Sequence, residues 1–543
     1  MEALVIGSGI AGMASAVRLA RQGVHTTLAS PAPSGHSESV MAAGGINATL
    51  SGNDEGDSVD SHVRDTLKGG CGIGGEKAVR GLCEHGEEII RYLESIGTVF
   101  SVDSENRPAR RAFGGQSHKR TYYCGSSTGK QIVSALIMEA RRFEASGMIT
   151  RRMKLNFHSA LIKDGVCYGA LLMDSESFRL EAFYSDFTVM ATGGQNALFG
   201  KTTGSTLCDG YAAGKLFMQG AELKNLEFIQ YHPTTLETAQ KKMLISEAVR
   251  GEGGRLFFVE NGKRVYFMEE KYGEKGNLMT RDLISREIYG CGKDVFLDIS
   301  FLEGKTIDER LPEVRDLCMK YRSIDIKKEP IPVSPSVHFF MGGLAVHLNH
   351  ETSIKNLFAT GECASMYHGA NRLGGNSLLS AMYSGLVASD EIAGRAPHRK
   401  YPDFSAYMED ERKSLKKNRD SKSTFPVYYI RDMLSKTMNN NLGIVRCEKN
   451  LDEGLSDIDY YLSIAEKIRY DRSVPPYTNF SLKAMLTLAG ATIMAAKERR
   501  ESRGAHYRSD HRDTKDEYAF STIVSYDDGG YSVCFDKEHS YES

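Results

Sequence analysis

Residues 2–30 read "EALVIGSGIAGMASAVRLARQGVHTTLAS". A continuous apolar run ends at Gly7, apolar residues then recur at helical spacing as far as Gly23, and a second short run follows. The spacing predicts strand, turn, helix and strand. Gly7, Gly9 and Gly12 form GxGxxG between the strand and the helix. There the first glycine permits the turn, the second lets backbone approach a pyrophosphate, and the third lets helix and strand pack. The helix N-terminus adds N–H donors and partial positive charge. The second strand should end in an acid for ribose hydroxyls, yet it reads "TTLASPAPS", with Ser30 nearest. A serine tolerates a different sugar geometry, which makes FAD a better fit than NAD.

Working outward, "DFTVMATGGQ" (186–195) and "NLFATGEC" (356–363) are further apolar strands ending in glycine turns. Three such strand ends, so far apart, predict one α/β nucleotide-binding domain interrupted by an insertion. The stretch from about 226 to 340 has a different texture, with "EEKYGEKGN" and a proline-rich close, and is the insertion. From about 400 to 505 the pattern is charged and helical, expected to be an appendage and not a reaction site; the last 40 residues are expected to wrap the surface. The 543 residues exceed the roughly 250–300 at which a single core stops growing, and the formal net charge of -2 offers nucleic acid or an anionic membrane no global attraction. The ten cysteines include no CxxC pair, which argues against an intrinsic iron–sulfur cluster, a metal site or a disulfide frame. No basic leader or long apolar run is present, so a reducing cytoplasm is the expected location.

Several separated fragments carry unusual chemistry. "IQYHPTT" holds His232, "LISEAVRGEGG" holds Ser246, Glu247 and Arg250, "MTRDLISRE" holds Arg281, "SVHFFMGG" holds His338, and "MYHGANRLGGNS" holds Arg372. A dicarboxylate pocket needs histidine or arginine donors at both ends, with forked guanidinium groups favoured. Taken singly, each histidine fits a satisfied core residue and each arginine a surface charge. Glu362, in "ATGEC", is equally readable as a ribityl or ribose ligand or as a solvated loop carboxylate.

These fragments occur together with "AAGGINA", "RAFGGQSHKRT", "MATGG", "EPIPVSPSVHFFMGG" and "ESRGAHYRSD", and over almost its full length the chain resembles the flavoprotein subunit of the succinate dehydrogenase and fumarate reductase (complex II) family, with L-aspartate oxidase as a near relative. The resemblance implies a Rossmann-like FAD domain over 1–225 and 343–398, an α+β capping domain over 226–342, a helical domain over 399–505 and a tail over 506–543. It implies that Gly7, Gly9, Gly12, Ser30, Ser39, Gly44, Gly45, Ala191, Thr192, Gly193, Asp209, Glu362, Arg372, Ser377 and Leu378 surround FAD. His232, Ser246, His338 and Arg372 would hold the substrate carboxylates, with Phe113 and Gly44 beside the substrate. Arg281 would deliver the proton to fumarate, and Glu247 and Arg250, which share a face at i and i+3 if "ISEAVRGE" is helical, would relay it. The implied partners are an iron–sulfur subunit plus a membrane quinone-reactive subunit, placing a cytoplasmic chain at a membrane.

Two positions sort the subfamilies. Where the aspartate oxidase pattern has a glutamate for the substrate ammonium, this chain has Phe113, which suits an unsubstituted C4 dicarboxylate. Where the related complex II enzymes carry a flavin-linking histidine, six residues before Gly44, this chain has Glu38, in "GHSESVMAAGG". His36, if the segment is extended, lies on the same face but roughly 6.6 Å away. Ala43 also departs from the family's usual glutamine or glutamate. The expectation is therefore non-covalent FAD and fumarate reduction, then succinate oxidation, then aspartate oxidation.

Overall fold

The computed structural model describes residues 1–543 except 52–55, 399, 420–425, 466–467, 469, 471–473, 528 and 542–543. Its organising element is a five-stranded parallel sheet in the spatial order Leu357–Ala359, Phe187–Met190, Glu2–Ile6, His25–Ser30, Ile149–Met153. Register runs Leu4 opposite Thr27 on one side and Thr188 on the other. Central parallel strands are covered on both faces and so read as unbroken apolar runs, as "ALVI" and "FTVM" do. The helix Ile10–Arg21 packs on one face together with Asn376–Ala393. A three-stranded antiparallel sheet, Leu155–Lys163, Val166–Asp174 and Leu180–Tyr184, lies against the same core.

Between the fourth and fifth parallel strands the chain builds a separate six-stranded sheet in the order Lys242–Leu244, Ile229–Glu237, Ile331–Phe340, Val295–Asp298, Arg255–Glu260, Lys263–Val265. Apolar residues from Leu236 to Val333 form a second core of their own here. The helices Val427–Asn441, Glu448–Ala465 and Leu482–Glu498 behave differently, because Leu434, Ile458 and Leu488 join the core of the N-terminal sheet.

Two expectations are corrected. The end of the chain does not simply wrap the surface: Thr522–Asp527 and Gly530–Phe535 form a hairpin whose first strand pairs with Leu223–Lys224, so that Val524 is buried. The segment around Glu38 is not extended. Ser34–His36 and Glu38–Met41 are two 3-10 turns, so the straight-strand spacing between His36 and Glu38 does not hold.

Candidate active site

A cavity of about 640 Å³ runs from the GxGxxG turn to the junction of the two sheets. At its first end Gly7 has φ of +112°, and a Cβ there would collide with the carbonyl of Ala191. Gly12 is buried and does not line the cavity; a side chain on it would run into the Gly7 carbonyl, so its part is close helix–strand packing. Ser30 accepts a 2.9 Å hydrogen bond from Ser8, and Ser39 accepts one of 3.1 Å from the Ile10 N–H in the first helical turn. Ala191, Thr192, Gly193, Asp209, Ser377 and Leu378 all reach the cavity wall.

Glu362 sits further along, accepting a 3.0 Å bond from the Phe340 N–H, and burial pushes its carboxyl up to about 8. Burial likewise pushes Glu38 up to about 7; one of its oxygens is shut off from solvent without a hydrogen-bond partner among the described residues, and the positive charge acting on it is that of Lys241. The two carboxyls also act on each other, since a charge on Glu38 raises Glu362 further.

At the far end the sheet of the insertion supplies the polar groups, and two irregularities aim them. Gln230 pairs with Phe339 but Tyr231 pairs with Val337, so His338 is the extra residue of one bulge. His232 pairs with Ser336 and Thr235 with Ser334, which leaves Pro233 and Thr234 against a single residue in a second. Bulges redirect side chains in this way and are common beside active sites. The two imidazoles meet edge to face with ring centres 5.2 Å apart, and the Thr203 hydroxyl lies 2.9 Å from Nδ1 of His338. Burial first, and the neighbouring arginines second, hold both histidines well below their usual pKa, so they are neutral.

Arg281 opens the helix Arg281–Cys291. Its Nε and Nη2 reach the same Glu247 oxygen at 3.0 and 2.9 Å, and its Nη1 donates to Gln230 Oε1 at 3.2 Å. Arg372 donates to that Gln230 oxygen at 3.0 Å, and its Nε is buried without a partner among the described residues. Burial lowers Arg372 to about 9. The other Glu247 oxygen accepts from the Gly114 N–H at 2.8 Å and lies 3.7 Å from Arg250. Burial opposes ionisation of Glu247, but Arg281 and Arg250 outweigh it and hold the carboxyl below its ordinary value. Arg250 stands behind Glu247, outside the cavity lining, anchored by a 2.7 Å bond to the Asn277 carbonyl. Ser246 lines the wall, and Phe113 packs so that a Cβ on Gly44 would lie 3.3 Å from its ring.

All the sequence-derived residues except Gly12 and Arg250 thus line one cavity. Gln230 was missed, although it precedes His232 by two in a strand and such spacing puts both on one face. Thr203 and Lys241 carried no signal. Nor did the helical region stay outside: Arg431, Tyr477 and Thr478 line the same cavity, against the expectation of a detached appendage.

A glycine cradle at a helix N-terminus, an elongated cavity and the buried Arg372 guanidinium fit a dinucleotide whose far end meets a polar reaction chamber. Fold and site together define an FAD-dependent oxidoreductase. The FAD binding domain family matches residues 2–378, and the fumarate reductase flavoprotein C-terminal family matches 431–539. The chain is 35% identical to the succinate dehydrogenase flavoprotein subunit of Bacillus subtilis (96% of this chain, 93% of that one). It is 34% identical to one of the subunits of the CoM/CoB fumarate reductase of Methanothermobacter marburgensis (96% and 97%). Among solved structures it is similar to the E. coli quinol fumarate reductase flavoprotein, with a TM-score of 0.89, 27% identity and coverage of 98% and 96%. The chain belongs to the succinate dehydrogenase and fumarate reductase flavoprotein family.

Proposed function

We propose that the chain interconverts fumarate and succinate and works chiefly as a fumarate reductase with non-covalent FAD. The observation that carries this reading is Arg281, held by Glu247 and sharing Gln230 with Arg372, beside two neutral histidines. FAD, when bound and reduced by an electron donor, would supply the hydride. Arg372, His232, His338 and Ser246 hold the two carboxylates by charge and hydrogen bonds, and the fork of Arg372 fixes orientation. Arg281 gives a proton to the alkene carbon opposite the one that receives hydride. An arginine pKa stays above about 12 in water, so this step needs a dry chamber and a strongly basic carbon. Glu247, paired with Arg281 and backed by Arg250, returns the proton. Phe113 puts an apolar ring beside Gly44, which favours an unsubstituted dicarboxylate over aspartate.

Glu38 occupies the place of the linking histidine, and as a buried carboxyl it leaves FAD untethered. Electrons would come from an iron–sulfur subunit joined to a membrane quinone-reactive subunit, as membership of the succinate dehydrogenase and fumarate reductase flavoprotein family suggests. Side-by-side assays of fumarate with reduced viologen, succinate with an acceptor dye, and aspartate test the reading. Fumarate reduction should be the fastest, and acid precipitation should leave all flavin in the supernatant. Activity on aspartate alone, or flavin remaining with the polypeptide, would overturn the corresponding half.

A further inference from the structure

The FAD binding domain family ends its match at residue 378, yet the wall of the cavity continues into residues more than fifty positions later. Arg431, in the first turns of the helix Val427–Asn441, is the charged member of that wall. Its Nη2 donates to the Ser481 hydroxyl at 2.5 Å, while its Nε is closed to solvent and has no hydrogen-bond partner among the described residues. The anion acting on it is Asp209, a cavity-lining carboxyl that burial pushes upward and that Arg431 draws back down. The Tyr477 hydroxyl points at the same carboxyl from 3.4 Å.

Which end of the cavity this is follows from neighbouring contacts. Tyr477 packs edge to face on Tyr211, ring centres 5.2 Å apart, and the Tyr211 hydroxyl donates at 2.7 Å to the His158 carbonyl. His158 lies in the strand Leu155–Lys163, whose Asn156 and Phe157 line the cavity. That strand follows directly on Ile149–Met153, which pairs with the strand ending at Ser30. In a dinucleotide fold the end of the second strand receives the adenosine ribose. Arg431 is therefore at the adenosine end, away from the reacting one.

We propose that Arg431 is a cofactor-binding residue supplied by the helical region: its guanidinium, in the cavity wall beside Asp209, donates to an oxygen of the adenosine half of FAD, and Tyr477 holds Asp209 in place. A guanidinium carries five N–H donors and Arg431 gives Ser481 a bond from Nη2 alone, so the group keeps donors for an acceptor on the ligand. The helical region then acts as a clasp on the cofactor, and FAD leaves only after the helix Val427–Asn441 shifts. This rests on the flavin site and is independent of which substrate is used.

The deciding measurement is calorimetric titration of flavin-free full-length chain with ADP, which carries the adenosine half without the flavin. Arg431→Ala should weaken ADP at least about ten-fold, the worth of one charge-assisted hydrogen bond, and Arg431→Lys should recover only part. The same variant should lower the melting temperature of the FAD-loaded chain by more than that of the flavin-free chain, which loses only the contacts to Ser481 and Asp209, because a ligand stabilises by its affinity. Tyr477→Phe, a smaller change, should weaken ADP in the same direction. Equal ADP affinities for the parent and the variants, no ADP binding by the parent, or an equal fall in melting temperature with and without FAD would each overturn the clasp.

Discussion

Arg281 and Glu38 show how much a single side chain decides here. Arg281→Ala should keep its FAD yet lose about 10²–10⁴-fold in fumarate turnover, the usual worth of a positioned acid; substantial activity at normal flavin content would remove it as the proton donor. Glu38 makes a pH prediction. In the unfolded chain its carboxyl ionises near 4.5, whereas in the fold it holds its proton up to about 7. Between those values the native state binds the extra proton, so this group makes stability fall as pH rises through the window, and the penalty persists above it. Glu38→Gln should therefore melt close to the parent near pH 4.5 and above it at pH 7 and beyond. A melting difference that does not change with pH would refute the titration. Both residues were legible in the sequence because each sits in a fixed motif: Arg281 matches its family pattern and Glu38 breaks one. Gln230 was not, because its importance lies in two arginines, distant in sequence, that share its one oxygen.

At the scale of the element, strands and helices near the N-terminus follow directly from apolar spacing, but the features that aim side chains do not. The bulges at His338 and at Pro233–Thr234 come from the pairing of two distant strands, and pairing register is invisible in either strand alone. The turns around Glu38 have a similar origin. Gly129, at the start of the helix Thr128–Ala145, donates to the Ala42 carbonyl at 2.8 Å, and a Cβ on it would strike the carbonyl of Ser39. That helix presses the Glu38–Met41 turn against the first turn of the nucleotide-binding helix. Gly129→Ala should push the turn away, cost about 1–3 kcal/mol by overpacking, and show as purified protein with less bound FAD; normal flavin content and melting would mean the turn absorbs the methyl freely.

The whole molecule is closed by buried charge as well as by apolar packing. Arg499 donates at 2.6 Å to Glu227 and pairs with Glu501 at 2.9 Å, all three being inaccessible to water. Glu227 stands between the Leu223–Lys224 and Ile229–Glu237 strands and Arg499 just past the last long helix, so this contact fastens the C-terminal region to the sheets. Glu227→Ala leaves a guanidinium short of its partner and should destabilise the protein by about 3–5 kcal/mol, readable as a denaturation midpoint; a loss under about 1 kcal/mol would mean Glu501 suffices. The interruption of the parallel sheet was legible from strand-end glycines, whereas the joining of helices and tail to the first core was not, since it depends on contacts hundreds of positions apart. The interrupted parallel sheet also sets a timetable for synthesis. A ribosome adding about 5–20 residues each second releases Phe187–Met190 on the order of ten seconds before Leu357–Ala359. In that interval the nascent chain can complete the intervening sheet, whose core is contiguous in sequence, while the nucleotide cradle waits without its edge strand. Flavin capture is thus expected late in the life of the polypeptide, and a message truncated between Phe340 and Leu357 should yield a cap above a cradle that lacks its edge strand.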